Sequence, residues 1–241
     1  MTAILPARAL DVPAALSTLR DREVNYDLAE VAEPAWRFDE HRHGLGVEPP
    51  GPPVPDGVWE RARLVVRDYN FTPPGLIRAW YRGADPLPGR NMLLEGRFGP
   101  LRFLLGVRVT DVVAEEDGGQ RCWGWSYVTL RGHIERGRVD YAVVKDLDTG
   151  LVFFRVRSHN QLNPSAHPVV RLGWALFGRG LQLRFYRHCA QRLRALTHAG
   201  PPVAAPLDEV VRVPLGVRPG RWDRWSVVVA DAADQERTTR P

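Results

Sequence analysis

Lysine is almost missing from this sequence: of 33 basic residues in 241, one is a lysine, Lys145, and the other 32 are arginines. A net charge of +5 and a pI near 9.7 would suit a nucleic-acid binder, but these arginines are scattered singly from end to end. The pattern fits a coding bias better than a groove built to follow phosphates. "RFYRHCAQRLRAL" is the one real concentration, zinc-finger spacing is absent, and no nucleic-acid partner is expected. Cysteine is scarce too: Cys122 and Cys189 stand far apart, which excludes a disulfide scaffold and an all-cysteine zinc site. Both are expected to be small buried residues. No run approaches the roughly 20 apolar residues of a spanning helix. Pro6, Arg8, Asp11 and Pro13 interrupt the start, which lacks the continuous core of a secretory signal, so the expected location is cytoplasmic. A phosphate-cradling glycine loop, a dinucleotide fingerprint and a nucleophile elbow are all missing. Ser126 and Ser158 have no activating context, and no cofactor is expected.

What is present is a change of period. "VEPPGPPVPDG" (Val47 to Gly57) excludes helix and central strand. "DGVWERARLVVRDYNF" then repeats Trp59, Ala62, Val66 and Tyr69 at helical spacing, with Asp56 as its cap. Pro73 or Pro74 suits the start of a second short helix through Tyr81. From Asn91 the period is two. Phe103, Leu105, Val107 and Val109 face away from Arg102 and Arg108. Trp123, Trp125, Tyr127 and Thr129 alternate with Gly124, Ser126 and Val128. Val139, Tyr141 and Val143, then Val152, Phe154 and Val156, continue the meander. A long helix follows from about Val169 to Leu196, its stripe including Leu172, Leu176, Leu183, Tyr186, Ala190 and Leu193, with Gly178 and Gly180 as possible kinks. "EVVRVPLGV" and "RWDRWSVVVA" read as a short strand pair in the tail. "WRFDEHRHGLG" is expected to supply the first strand.

Two short helices after a first strand, an antiparallel meander and a long C-terminal helix make an α+β fold in which a curved sheet wraps the helix: the helix-grip, or START-like, arrangement. The expected division is an N-terminal extension (1–35), a helix-grip domain (36–197) and a C-terminal tail (198–241). The stretches "VNYD", "PLPGRNMLLEGRF", "WGWSYVTLRGHIERG", "DTGLVFFRV" and "RLGWALFGRGLQLRFYRHC" resemble the DUF1990, or UPF0548, family over roughly Val24 to Leu196. The resemblance implies a distant relation to the START and polyketide-cyclase group, hence a helix-grip shape and a cavity, and no known reaction. Family members commonly carry two acidic residues after the second glycine of the "GH" loop. Here Arg138 and Val139 stand there and Asp140 comes one later.

The candidate chemistry centres on "TLRGHIERGRVDY". His133 and Glu135 suit a base with its orienting carboxylate. The same residues also suit a hairpin shaped by Gly132 and Gly137, with His133 capping backbone groups. Trp125, Tyr127 and Tyr141 are candidate lining for an apolar or aromatic ligand, the tyrosines above all, because a buried hydroxyl without a use is costly, and they suit equally well a core filled beneath the long helix. Arg171, with Arg179, suits clamping an anionic group and equally suits capping loops or pairing with Asp and Glu. Arg155 and Arg157 should face solvent. His41 and His43 alternate like a strand and offer two ligands where zinc needs three or four, so a solvated strand face is the expected place for them. His159 and His167 are the further donors, but nothing fixes their approach, so no metal site is expected. Three functions remain: a binder of a small, largely apolar ligand, a cyclase- or hydratase-like enzyme using His133 as general acid/base, and an interaction module. In the third, the Trp-rich tail, Arg221 to Val229, docks a partner or a second copy as a homodimer.

Overall fold

The structure is a computed structural model. It describes the backbone of residues 2–6, 10–32, 34–164, 168–207, 209–217, 223 and 227–231; of these, the side chains of 2–6, 168–179, 181 and 229–231 are not described. The elements are β1 (Thr2–Pro6), α1 (Val12–Thr18), β2 (Arg37–Val47), α2 (Val58–Arg67), β3 (Ile77–Arg82), β4 (Asn91–Phe98), β5 (Leu101–Asp117), β6 (Gln120–Thr129), β7 (Glu135–Asp146), β8 (Leu151–Leu162), α3 (Pro168–His198), β9 (Val210–Val213) and β10 (Val227–Asp231). One ten-stranded sheet runs in the order β2-β8-β7-β6-β5-β4-β3-β9, with β10 pairing with both β1 and β5.

The period-two runs from Asn91 onward become β4 to β8, and each pairs antiparallel with its successor. Their apolar sets land on one face: Leu105, Val107, Val109, Trp125, Tyr127, Tyr141, Val143, Val152, Phe154 and Val156 share a single core. The "WRFDEHRHGLG" stretch does supply the strand that flanks β8. Register shifts between Gly44 and Gly46 in β2 and between Val109 and Asp111 in β5 insert bulges, which bend strands and raise their twist. The helix α3 lies across the bent face. Tyr186, Cys189, Ala190 and Leu193, spaced three and four apart, form the stripe it buries in that core. Its end is tied to β2, where His198 Nε2 lies 2.8 Å from the Leu45 carbonyl oxygen. This is the helix-grip arrangement.

Four local expectations need correction. Residues 77–82 form strand β3, not a second helix. The prolines start only a turn, in which Leu76 and Ile77 both donate to the Pro73 carbonyl. Ile77, Ala79 and Tyr81 then face the core while Arg78 and Trp80 face outward, between β4 and β9. Asp56 is not the cap of α2: Gly57 holds that place, and Asp56 pairs with Arg61 instead. Leu183 is exposed, off the buried stripe, and α3 runs unbroken through Gly178 and Gly180. The two tail strands form but do not pair with each other: β9 joins β3, and β10 joins β1 and β5.

The outer face of the sheet is covered in part by the termini. Asp11 caps α1, Pro13 sits in its first turn, and Ala15, Leu16 and Leu19 pack on Leu93, Leu104, Leu130 and Val228. At the opposite corner Lys145 is fully buried. Its ammonium donates to Glu48 at 2.8 Å and to the Pro52 carbonyl at 2.9 Å, while the Glu48 carboxylate accepts the Trp59 amide at 2.8 Å. One ion pair thereby joins the proline-rich loop, the start of α2 and strand β7.

Candidate functional site

Tyr141 is the hub of the inner face. Its ring lies 4.9 Å from Phe71, 5.6 Å from Trp125, 5.9 Å from both Tyr69 and Tyr127, and 6.0 Å from Phe154. All six are buried. The Trp125 indole N–H is committed, donating to the Val66 carbonyl at 2.9 Å at the end of α2. The hydroxyls of Tyr69, Tyr127 and Tyr141 gather in this cluster and interact with one another. Burial pushes the Tyr69 and Tyr141 phenols well above their ordinary pKa, with neighbouring Tyr127 adding to the effect. They are therefore neutral.

Towards the N-terminal end of β7 the core is bordered by half-buried side chains, as it also is at Val58 and Leu196. Phe103, Ile134, Val139 and Phe185 pack on the same core but are only partly buried. Tyr186 stands at this end. Its hydroxyl donates to Ser158 Oγ at 3.1 Å and accepts from Gln182 Nε2 at 3.2 Å, and burial pushes its pKa up to about 12. The His41 ring lies 4.9 Å from that of Tyr186. The Nε2 atoms of His41 and His43 are buried without partners, and desolvation, then neighbouring His41 and Arg187, lower the His43 pKa. These histidines thus face the interior, not a solvated strand face. His159 is on the opposite face of the sheet, 3.3 Å from the Tyr26 hydroxyl, and cannot join them. His167 lies outside the described residues. Among the described residues no group of three or more His, Cys, Asp or Glu is placed to hold a metal.

The loop between β6 and β7 is held from two sides. Gly132 takes φ +91°, a left-handed turn, and a Cβ on Gly137 would strike the His159 carbonyl oxygen and Asn160. His133 is buried in this loop, its Nδ1 2.9 Å from the Glu135 amide nitrogen and 3.0 Å from the Glu135 carbonyl oxygen. The histidine is therefore tied to the backbone of Glu135, whichever nitrogen carries the proton, and these contacts do not use the carboxylate. Desolvation lowers its pKa to about 4, against a smaller opposing effect from that backbone contact. Residues 24–27 close the loop from outside. Val24 bridges Leu130, Asn25 Nδ2 donates to the Glu135 carbonyl at 2.9 Å, and Thr129 Oγ1 donates to Asn25 Oδ1 at 2.6 Å. Asn25 and Thr129 went unassigned in the sequence reading because each has meaning only beside the other, and they are 104 residues apart. The side chains of Arg171 and Arg179 lie outside the described residues. Arg157 is exposed and pairs with Glu40 at 2.8 Å, and Arg155 donates to Cys122 Sγ at 3.4 Å. Cys122 and Cys189 are free and buried.

An inner sheet face, a gripping helix and a clasped loop together define a helix-grip protein with an aromatic, hydroxyl-bearing interior. Residues 22–192 match the DUF1990 family, described as a domain of unknown function, and the chain belongs to that family. A UPF0548 protein of Deinococcus radiodurans is 26% identical over 213 residues, covering 80% of this chain and 97% of that protein. Among solved structures, Ara h 8.0201 superposes with a TM-score of 0.39 at 11% identity, over 68% of this chain and 99% of that one. Human STARD10 superposes with a TM-score of 0.37 at 9% identity, over 77% and 94%. No helix among the described residues is long and apolar enough to cross a membrane.

Proposed function

We propose that this protein binds a small, largely apolar ligand between the sheet and α3, with Trp125, Tyr127 and Tyr141 among the lining residues. The observation that carries the reading is an inner face of aromatic rings gripped by α3, whose bordering apolar side chains are not fully covered. Phe103, Ile134, Val139 and Phe185, pointing into the same interior, keep part of their surface open, as do Val58 of α2 and Leu196 of α3. Pockets for small molecules are mostly apolar and concave, with a few polar groups aimed inward. Tyr127, Tyr141 and Tyr186 carry the hydroxyls of that interior. His133 lends no support to proton transfer at neutral pH: an imidazole tied to backbone with a pKa near 4 is a weak base there.

Native mass spectrometry of the protein purified from its own host tests the reading. A bound small molecule that is retained in the wild type and reduced in Tyr127→Phe is the expected result. A single unliganded mass, together with failure to take up any apolar probe, would overturn it.

A further inference from the structure

We propose that the outward face of α3 docks on an anionic membrane surface. The inference stands apart from the ligand-binding reading and uses only the distribution of charge and exposure. All 28 acidic residues of the chain lie outside residues 149–207, a stretch with eight arginines, six of them in α3. Removing those six from the 33 basic residues leaves 27 against 28 acids, so α3 alone accounts for the positive net charge. A coding bias can replace lysine by arginine, but it does not clear a helix of Asp and Glu.

The fold turns that composition into a face. Tyr186, Cys189, Ala190 and Leu193 point into the core. On the side away from them Arg184, Arg187, Gln191 and Arg194, spaced three and four apart, are exposed in one row, with Leu183 beside it. Among the described residues no carboxylate pairs with Arg184, Arg187 or Arg194: Arg184 Nε donates to His188 Nε2 at 3.4 Å, and the ion pairs lie on other elements. The charges of Glu135 and Asp39 are felt at Tyr186, in the buried stripe. An arginine close to an anionic bilayer gains about fivefold in affinity, and an exposed leucine among such arginines suits the headgroup layer. A nucleic-acid groove fits less well. A helix enters the roughly 12 Å major groove only when it stands clear of its own protein, whereas α3 packs against both α2 and β2. A flat bilayer makes no such demand.

Co-sedimentation of the full chain with lipid vesicles is the test. Phosphatidylcholine vesicles with about one third phosphatidylglycerol should bind the protein, and pure phosphatidylcholine should not. Salt at about 0.5 M should release it, because screening shortens the reach of the charges. Arg184→Gln, Arg187→Gln and Arg194→Gln should each weaken binding about fivefold, and together about a hundredfold. The charge-matched triple Arg20→Gln, Arg37→Gln and Arg131→Gln, exposed positions off α3, should bind within about twofold of wild type. Both triples change only exposed side chains and should melt with the wild type. A fluorophore on Leu183→Cys should shift to the blue on the anionic vesicles, the native cysteines being buried and out of reach of the label. Equal losses in the two triples would reduce the effect to net charge and overturn the docking face. Binding to neither vesicle, or equally to both, would overturn the anionic membrane as the partner. So would tighter binding to a duplex oligonucleotide that is lost in the α3 triple, which would give the same face to a nucleic acid.

Discussion

His133 shows how one side chain can have two very different readings. Its residue type and its neighbour two positions on suggest a base, but burial makes it a neutral structural group. The sign of the pH dependence follows from that. In the unfolded chain the imidazole gains its proton near pH 6.5, and in the folded chain only near pH 4. Its contribution to stability is therefore complete above pH 6.5 and is lost as pH falls towards 4. Between pH 7 and pH 5 that amounts to about 2 kcal/mol. Urea unfolding at the two pH values should show this loss in the wild type and a shallower dependence in His133→Gln; identical slopes would remove His133 from the account. Lys145 makes a second case at this scale. The cost of burying Glu48 is outweighed by the bond from Lys145 and the amides of Trp59 and Val54, so its carboxyl stays below the usual range. Lys145→Met leaves that carboxylate buried and unpaired, and should cost about 3–5 kcal/mol. Adding Glu48→Gln should recover much of the loss, as read from denaturation midpoints.

At the scale of elements, the loop from Thr129 to Tyr141 is a turn plus a clasp. The turn was legible: two glycines between two alternating runs mark a hairpin. The clasp was not, because Val24 to Asp27 is irregular chain with no period to read. Asn25→Ala removes two side-chain hydrogen bonds across the loop and should cost about 1–3 kcal/mol. Faster amide exchange confined to residues 129–137 would confirm it, whereas a global loss of protection would mean that Asn25 supports the whole sheet. The misread second helix has a physical cause as well. In "TPPGLIRAWY" the prolines permit a helix start, and the six residues of Ile77–Arg82 are too short for the period to separate helix from strand. The decision went to the sheet, where β4 on one side and β9 on the other satisfy the backbone groups of β3.

At the scale of the whole molecule, strands from near both ends of the chain meet within the sheet, beside the start of β5. β1 pairs with β10, which runs parallel to the start of β5. Beside it Asp223 lies 3.0 Å from Arg78 and 2.6 Å from Arg97, with Arg102 and Glu95 completing a buried ionic cluster. Burial, then neighbouring arginines, lower the pKa of Arg78, and Asp223 opposes that shift. Asp223→Asn leaves three arginines facing one carboxylate and should cost about 3 kcal/mol. The loss should appear as faster proteolysis of the C-terminal segment together with a lower melting temperature. An unchanged melting temperature would mean that the tail is held by β10 alone.

The sequence by itself determined which residues of each strand face inward, that a long helix covers them, and that the strands run as a meander. Amphipathic period is a local property, written into any ten consecutive residues. Packing alone makes His133 a neutral loop anchor, lets Asn25 grip Thr129, sends the tail strands to different partners, and gathers the hydroxyls of Tyr69, Tyr127 and Tyr141 in one buried cluster. Each of these depends on what stands opposite a residue across tens or hundreds of positions, and on how far water is excluded there. Burial and opposition arise when separate segments pack, and no single segment carries them.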